Sequence, residues 1–138
     1  MNNTQCEKPE NMTEEEIAIY NGINTLVEVA HRNSRMGGWY TDPETGEPIA
    51  RNVPEMICLI HSEVSEMMEG YRKDLPDDKL PGFPMESVEG GDIAIRLGDY
   101  CGYREINLGA VIVQKMRFNA VREDHKLENR KKSGGKKF

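Results

Sequence analysis

A chain of 138 residues, 37% hydrophobic and 30% charged, is long enough for one domain around one core. A mean hydropathy of −0.69, with no long apolar run, excludes a helical membrane span, and the opening MNNTQCEKPENMTEEE has no basic-then-apolar leader pattern. Net charge is −6, but the last ten residues, NRKKSGGKKF, hold five positive charges and no negative one. The other 128 residues therefore carry −11, a body that repels nucleic acids and phosphates unless a metal bridges the charges.

Residues 1 to 12 are polar and aperiodic and read as disordered. A first helix starts at Thr13, whose hydroxyl caps it while Glu16 reaches back in a T-x-x-E capping box. Ile17, Tyr20, Ile23, Val27 and Ala30 recur at helical spacing to about His31. The stretch SRMGGWYTDPETGEPIARN is a loop rich in Gly and Pro that carries the single Trp, Trp39.

Asn52 and Pro54 open a second helix, with Pro in the first turn where its missing N–H is harmless. Its apolar stripe is Met56, Ile57, Ile60, Val64, Met67 and Tyr71, with Glu63 at the stripe's edge and Glu66 beyond it. KDLPDDKLPGFP breaks the chain before a third helix from about Met85 to Gly102. That helix is apolar most of the way round, which predicts burial. Gly90 and Gly91 within it each cost roughly 1 kcal/mol relative to Ala, which asks for close approach of another backbone or a ligand.

An Asn107 cap opens a fourth helix, whose face begins with Leu108 and Ile112 and turns polar at Lys115, Asn119 and Arg122. Beyond about Lys126 the tail is basic and flexible. The expectation is an all-α fold of four helices without a strand. Cys6, Cys58 and Cys101 contain no CxxC and read as reduced cytosolic thiols, not as zinc ligands or a disulfide framework.

HSEVSEMMEG raises a sharper question, because Glu63, Glu66 and Glu69 stand three residues apart and like charges at that spacing repel. The third helix offers a matching pair, Glu89 and Asp92, on a wheel that is otherwise apolar. Four carboxylates converging between packed helices would repel strongly at low dielectric, so either they face water separately or cations hold them together. Hard oxygen ligands of this kind suit magnesium or manganese. Glu69 lies further round its wheel and reads as a solvated residue. A ferritin-type di-iron centre needs Glu-x-x-His pairs, and His31, His61 and His125 do not supply them.

The run HSEVSEMMEGYRK, a gap of twenty-two residues from Glu66 to Glu89, and EGGDIAIRLGDYCGY together resemble the MazG-like all-α nucleoside triphosphate pyrophosphatases, whose signature is E-x-x-E, a variable gap, then E-x-x-D. QKMRFNAVREDHKLENRKKSGGKKF is similar to the endings of the phage and bacterial branch, although REDH replaces the familiar Arg-Pro-Tyr stretch. The resemblance covers roughly residues 53 to 138. It implies that Glu63, Glu66, Glu89 and Asp92 hold two or more magnesium ions, manganese being an alternative, and that water cleaves a nucleoside triphosphate to monophosphate and pyrophosphate. Glu66 is the expected base, and Asp99 is open between a ligand and a partner of Arg96.

Lys115, Asn119 and Arg122 share a stripe placed to meet phosphate oxygens, and Lys136 and Lys137 in the tail are further candidates. For the nucleobase, Asn21 and Asn24 offer amides and Trp39 a stacking plane. The expected substrate is a purine deoxynucleotide, dGTP or dATP, with pyrimidine pyrophosphatases on the same fold as the alternative. A non-catalytic helical module using its acidic faces to bind proteins is the rival class. The nearly all-apolar third helix and the family both imply a homodimer or homotetramer, and the reduced thiols suggest the cytoplasm. The acidic body and the absence of a long apolar run argue against nucleic-acid and membrane partners.

Overall fold

The computed structural model describes residues 6 to 136. It is all-helical: α1 (Glu14–Met36), α2 (Val53–Lys73), α3 (Met85–Tyr103), α4 (Leu108–Val121) and a single-turn α5 (Leu127–Arg130), with a 3-10 turn at Glu123–His125. Among the described residues the only strand-like pairings are two isolated bridges, Thr41 with Pro48 and Pro76 with Pro84. No described helix is long and apolar enough to cross a membrane. Lys137 lies outside the described residues.

The chain forms two compact units, one from the residues up to Asn24 and from Asn107 onward, the other Thr25–Ile106. The first is held by polar clasps. Thr13 and Glu16 make the expected capping box, with Glu16 N–H donating to Thr13 Oγ1 at 3.2 Å and Thr13 N–H to Glu16 Oε2 at 2.8 Å. Arg117 on α4 grips the same carboxylate with two nitrogens at 2.7 Å and also donates to the carbonyls of Glu10 and Asn11. That guanidinium, helped by the Thr13 amide, holds the Glu16 carboxyl down at about 2. At the start of α4 the Asn107 side chain caps Ala110 N–H, and the fully buried Ala110 and Val113 form the apolar centre.

In the second unit α2 packs along α3. Asn52 caps α2 by accepting from Glu55 N–H, and Asp74, at φ 51°, closes it in the left-handed region. The connecting loop folds on the buried Asp77, whose carboxylate accepts from the Lys79 and Leu80 amides. α1 runs five residues beyond the expected end at His31, through Arg32–Met36, and Gly38 at φ 83° turns the chain out of it.

The pattern of burial departs from the apolar stripe read from the sequence. On α2 the buried residues are Met56, Glu63 and Gly70, a seam repeating every seven residues, while Ile57, Val64, Met67, Met68 and Tyr71 stay exposed. On α3 the buried set is Glu89, Gly98 and Cys101, and Ile95 remains half exposed instead of buried. Close helix approach also falls elsewhere than at Gly90 and Gly91. A Cβ at Gly91 meets nothing, and one at Gly90 meets only Met67 Sδ at 3.9 Å. At Gly98 a Cβ would stand 3.0 Å from that of Ala30, and at Gly102 it would collide with His31.

Candidate metal centre

The seven-residue seam brings Glu63 of α2 against Glu89 and Asp92 of α3. One carboxylate oxygen from each can be chosen so that all three lie within 4.8 Å of one another. Glu63 and Glu89 are 5% and 7% exposed, while Asp92 is half-buried. Spacing of three on α3 puts Glu89 and Asp92 on one side of the helix, as the sequence anticipates.

Glu89 is the electrostatic centre of the group. Burial first, then a hydrogen bond with Glu63, then the charges of Glu66, Glu63 and Asp92, push its carboxyl up to about 7. Its Oε2 is buried without a hydrogen-bond partner. Glu66 is exposed, one turn along α2 from Glu63, and its charge acts on Glu89 without Glu66 joining the tight trio. Glu69 pairs with Arg72 and Lys73 of its own helix and takes no part in the cluster.

Asp92 also lines a cavity of about 480 Å3, with Trp39, Arg51, Leu59, Arg96 and Asp99 among its walls. Arg96, one turn beyond Asp92, forms an ion pair with Glu63, its Nε 2.5 Å from Oε1. Asp99, which the sequence leaves open between a ligand and a partner of Arg96, is engaged with His31 and Tyr40, while Arg96 pairs with Glu63. Asp99 Oδ1 lies 2.8 Å from His31 Nδ1 and accepts the Tyr40 hydroxyl at 2.7 Å. Burial first, then the hydrogen bond to Asp99 and its charge, raise the Tyr40 phenol above its ordinary range. Arg51 reaches over the Tyr40 ring and donates to the Trp39 carbonyl, and its backbone N–H donates to the Tyr103 hydroxyl. This network fixes the loop that carries Trp39, itself 66% exposed at the cavity wall.

The remaining predicted site residues belong to the first unit. Lys115 and Arg122 both stand over the Phe118 ring, and Arg122 also pairs with Asp124 through two nitrogens. Asn119 keeps a buried Oδ1 without a partner. Asn24 has both amide atoms engaged: Oδ1 accepts from Gly109 N–H and Nδ2 donates to Asn107 Oδ1, each at 3.0 Å. Among the described tail residues, the Lys136 carbonyl accepts from Arg130.

Sequence reasoning did not find Arg51, or the pairing of Arg96 with Glu63. The signal for Arg96 is its spacing, four residues after Asp92 and three before Asp99 on one side of α3. No family model, no curated protein and no solved structure matches this chain.

Proposed function

We propose that this chain is a magnesium-dependent nucleoside triphosphate pyrophosphohydrolase, acting on a purine deoxynucleotide. The observation that supports the metal in this reading is the buried, partnerless Glu89 Oε2 among converging carboxylates. An orphaned buried carboxylate oxygen is costly, and a divalent cation is the group that satisfies it while relieving the repulsion. The donors are all hard carboxylate oxygens, which fit magnesium or manganese. The E-x-x-E and E-x-x-D motifs that supply them resemble those of the MazG-like pyrophosphatases.

Glu63, Glu89 and Asp92 would hold the metal, with Glu66 completing the set at its exposed side. Magnesium, when bound, neutralises the triphosphate and lowers the pKa of a bound water. Glu66 would act as base, accepting a proton from a water whose oxygen bonds to phosphorus as the Pα–O–Pβ bridge breaks, the bridging oxygen keeping the electron pair and leaving with the other product. Trp39 stacks on the nucleobase at the cavity wall, and the Tyr40–Asp99–His31 network holds the Trp39 loop still for it. Lys115, Asn119 and Arg122 are proposed as phosphate contacts on the resemblance alone. The exposed stripe of α2 supports association with a second copy of the chain as a homodimer or homotetramer, which we propose acts in the cytoplasm.

The test is incubation with magnesium and a panel of deoxy- and ribonucleoside triphosphates, with products separated by ion exchange. Monophosphate plus pyrophosphate, lost in Glu66→Gln and Glu89→Gln, is the expected result. A folded protein that turns over no triphosphate would refute the reading.

A further inference from the structure

Arg96 is the group in this site whose position the proposed chemistry does not yet explain. It sits on the same side of α3 as Glu89, Asp92 and Asp99, at spacings of three, four and three. Its guanidinium is paired with Glu63, a side chain 6% exposed, yet Arg96 itself is 42% exposed and lines the cavity beside Asp92. One end of the interaction is therefore anchored in the protein and the other is accessible from the cavity.

Glu63 cannot serve two cations equally. A divalent ion among Glu63, Glu89 and Asp92 would stand within a few ångströms of the Arg96 charge, and like charges at that distance repel strongly away from bulk water. The metal also needs the carboxylate oxygens, one of which Arg96 occupies. Arg96 differs from Arg51, the other cationic wall of the cavity, which is only 14% exposed and tied to the Trp39 carbonyl and the Tyr40 ring. Arg96 has the exposure to move, and a planar guanidinium matches phosphate oxygens as well as it matches a carboxylate.

Resting on the metal reading above, we propose that Arg96 is an exchangeable counter-ion. It neutralises Glu63 while the acidic cluster holds no metal, is released when magnesium takes that carboxylate, and then binds the phosphates of the substrate in the adjoining cavity. The pairing keeps the acids together in the metal-free protein and couples metal binding to the appearance of a free cation facing the substrate. Arg96 is thus a binding and positioning residue, and it takes no proton in the reaction.

The experiment uses the full-length 15N-labelled protein, with the Arg96 Nε–Hε resonance assigned from its loss in Arg96→Lys. Magnesium is titrated to saturation, followed by an α,β-methylene deoxynucleoside triphosphate. Magnesium alone should move or broaden the Arg96 signal, and the analogue should bring it to a new, sharp position. Calorimetry on Arg96→Gln should show magnesium binding roughly ten-fold tighter, and analogue binding in magnesium roughly ten-fold weaker, each change being about 1.4 kcal/mol. An Arg96 resonance unmoved by saturating magnesium overturns the proposal and leaves the metal site standing, as does wild-type magnesium affinity in Arg96→Gln. If the wild-type protein binds neither magnesium nor manganese at millimolar concentration, the metal reading itself fails and the exchange fails with it. The resonance is followed in the wild-type chain, so the outcome does not depend on Arg96→Gln folding.

Discussion

His31 Nδ1 stands 2.8 Å from Asp99 Oδ1, joining the last turns of α1 to α3 across 68 residues of sequence. The same oxygen accepts the Tyr40 hydroxyl, so one carboxylate fixes both a helix and the loop that follows it. Asp99→Ala leaves two part-buried groups without an acceptor, at about 1–3 kcal/mol each. Tyr40→Phe removes one bond and leaves the other, so its cost is about 1 kcal/mol. Urea unfolding followed by the emission of Trp39, the single tryptophan, checks both. Equal stability of the two variants would show that Asp99 does not act as the shared acceptor.

The glycines of α3 separate into open and crowded positions. Gly91 has space for a methyl group, so Gly91→Ala gains helix propensity and stabilises the protein by about 1 kcal/mol. Gly102 faces the His31 side chain at a distance no Cβ tolerates, so Gly102→Ala forces a shift and costs about 1–3 kcal/mol. Melting temperatures of the two variants should move in opposite directions.

Glu89 makes the metal-free protein pH-sensitive. Its carboxyl titrates at about 7 in the folded chain against 4.5 when unperturbed. Between those values the folded state holds a proton that the unfolded state has lost, so stability falls as pH rises through this window and levels off above it. The loss is at most on the order of 3 kcal/mol, at about 1.4 kcal/mol per pKa unit, and solvent screening at the edge of the cluster reduces it. Glu89→Gln should flatten the slope in chelator-treated protein. Metal binding requires the ionised carboxylate, so magnesium affinity should rise over the same range.

The exposed α2 stripe predicts a self-association that mutation can break. Met68 and Tyr71 are 58% and 72% exposed. Changing both to Lys should reduce the mass measured by light scattering to that of one chain, without loss of helix content by circular dichroism. An unchanged mass would remove this face from the interface.

The features legible in the sequence were those written locally. Thr13 with Glu16, Asn52 and Asn107 announce helix starts because a cap involves residues only three apart. Glu63 with Glu66, and Glu89 with Asp92, could be paired on each helix for the same reason. The end of α1 is not legible in the sequence, because Arg32–Arg35 carry no apolar spacing yet continue the helix to Met36, just before Gly37 and Gly38.

The rest depended on register between helices, which no local spacing encodes. Nothing near Glu63 tells that it turns into the α2–α3 seam while Val64 turns out, or that Arg96 meets it. Asn24 read as an available amide because its partners, Asn107 and Gly109, lie more than eighty residues away. The expected close approach at Gly90 and Gly91 likewise moved to Gly98 and Gly102, where α1 happens to run.

Cys101 gives α3 a built-in clock. Its thiol is 2% exposed and pushed up in pKa by burial, whereas Cys58 lies open on α2. A thiol-alkylating reagent therefore marks Cys58 in the native protein and reaches Cys101 only when α3 parts from its neighbours. Mass spectrometry of the Cys101 peptide over time reads the frequency of that opening, and any cation that ties Glu63 to Glu89 and Asp92 should slow it in proportion to its occupancy.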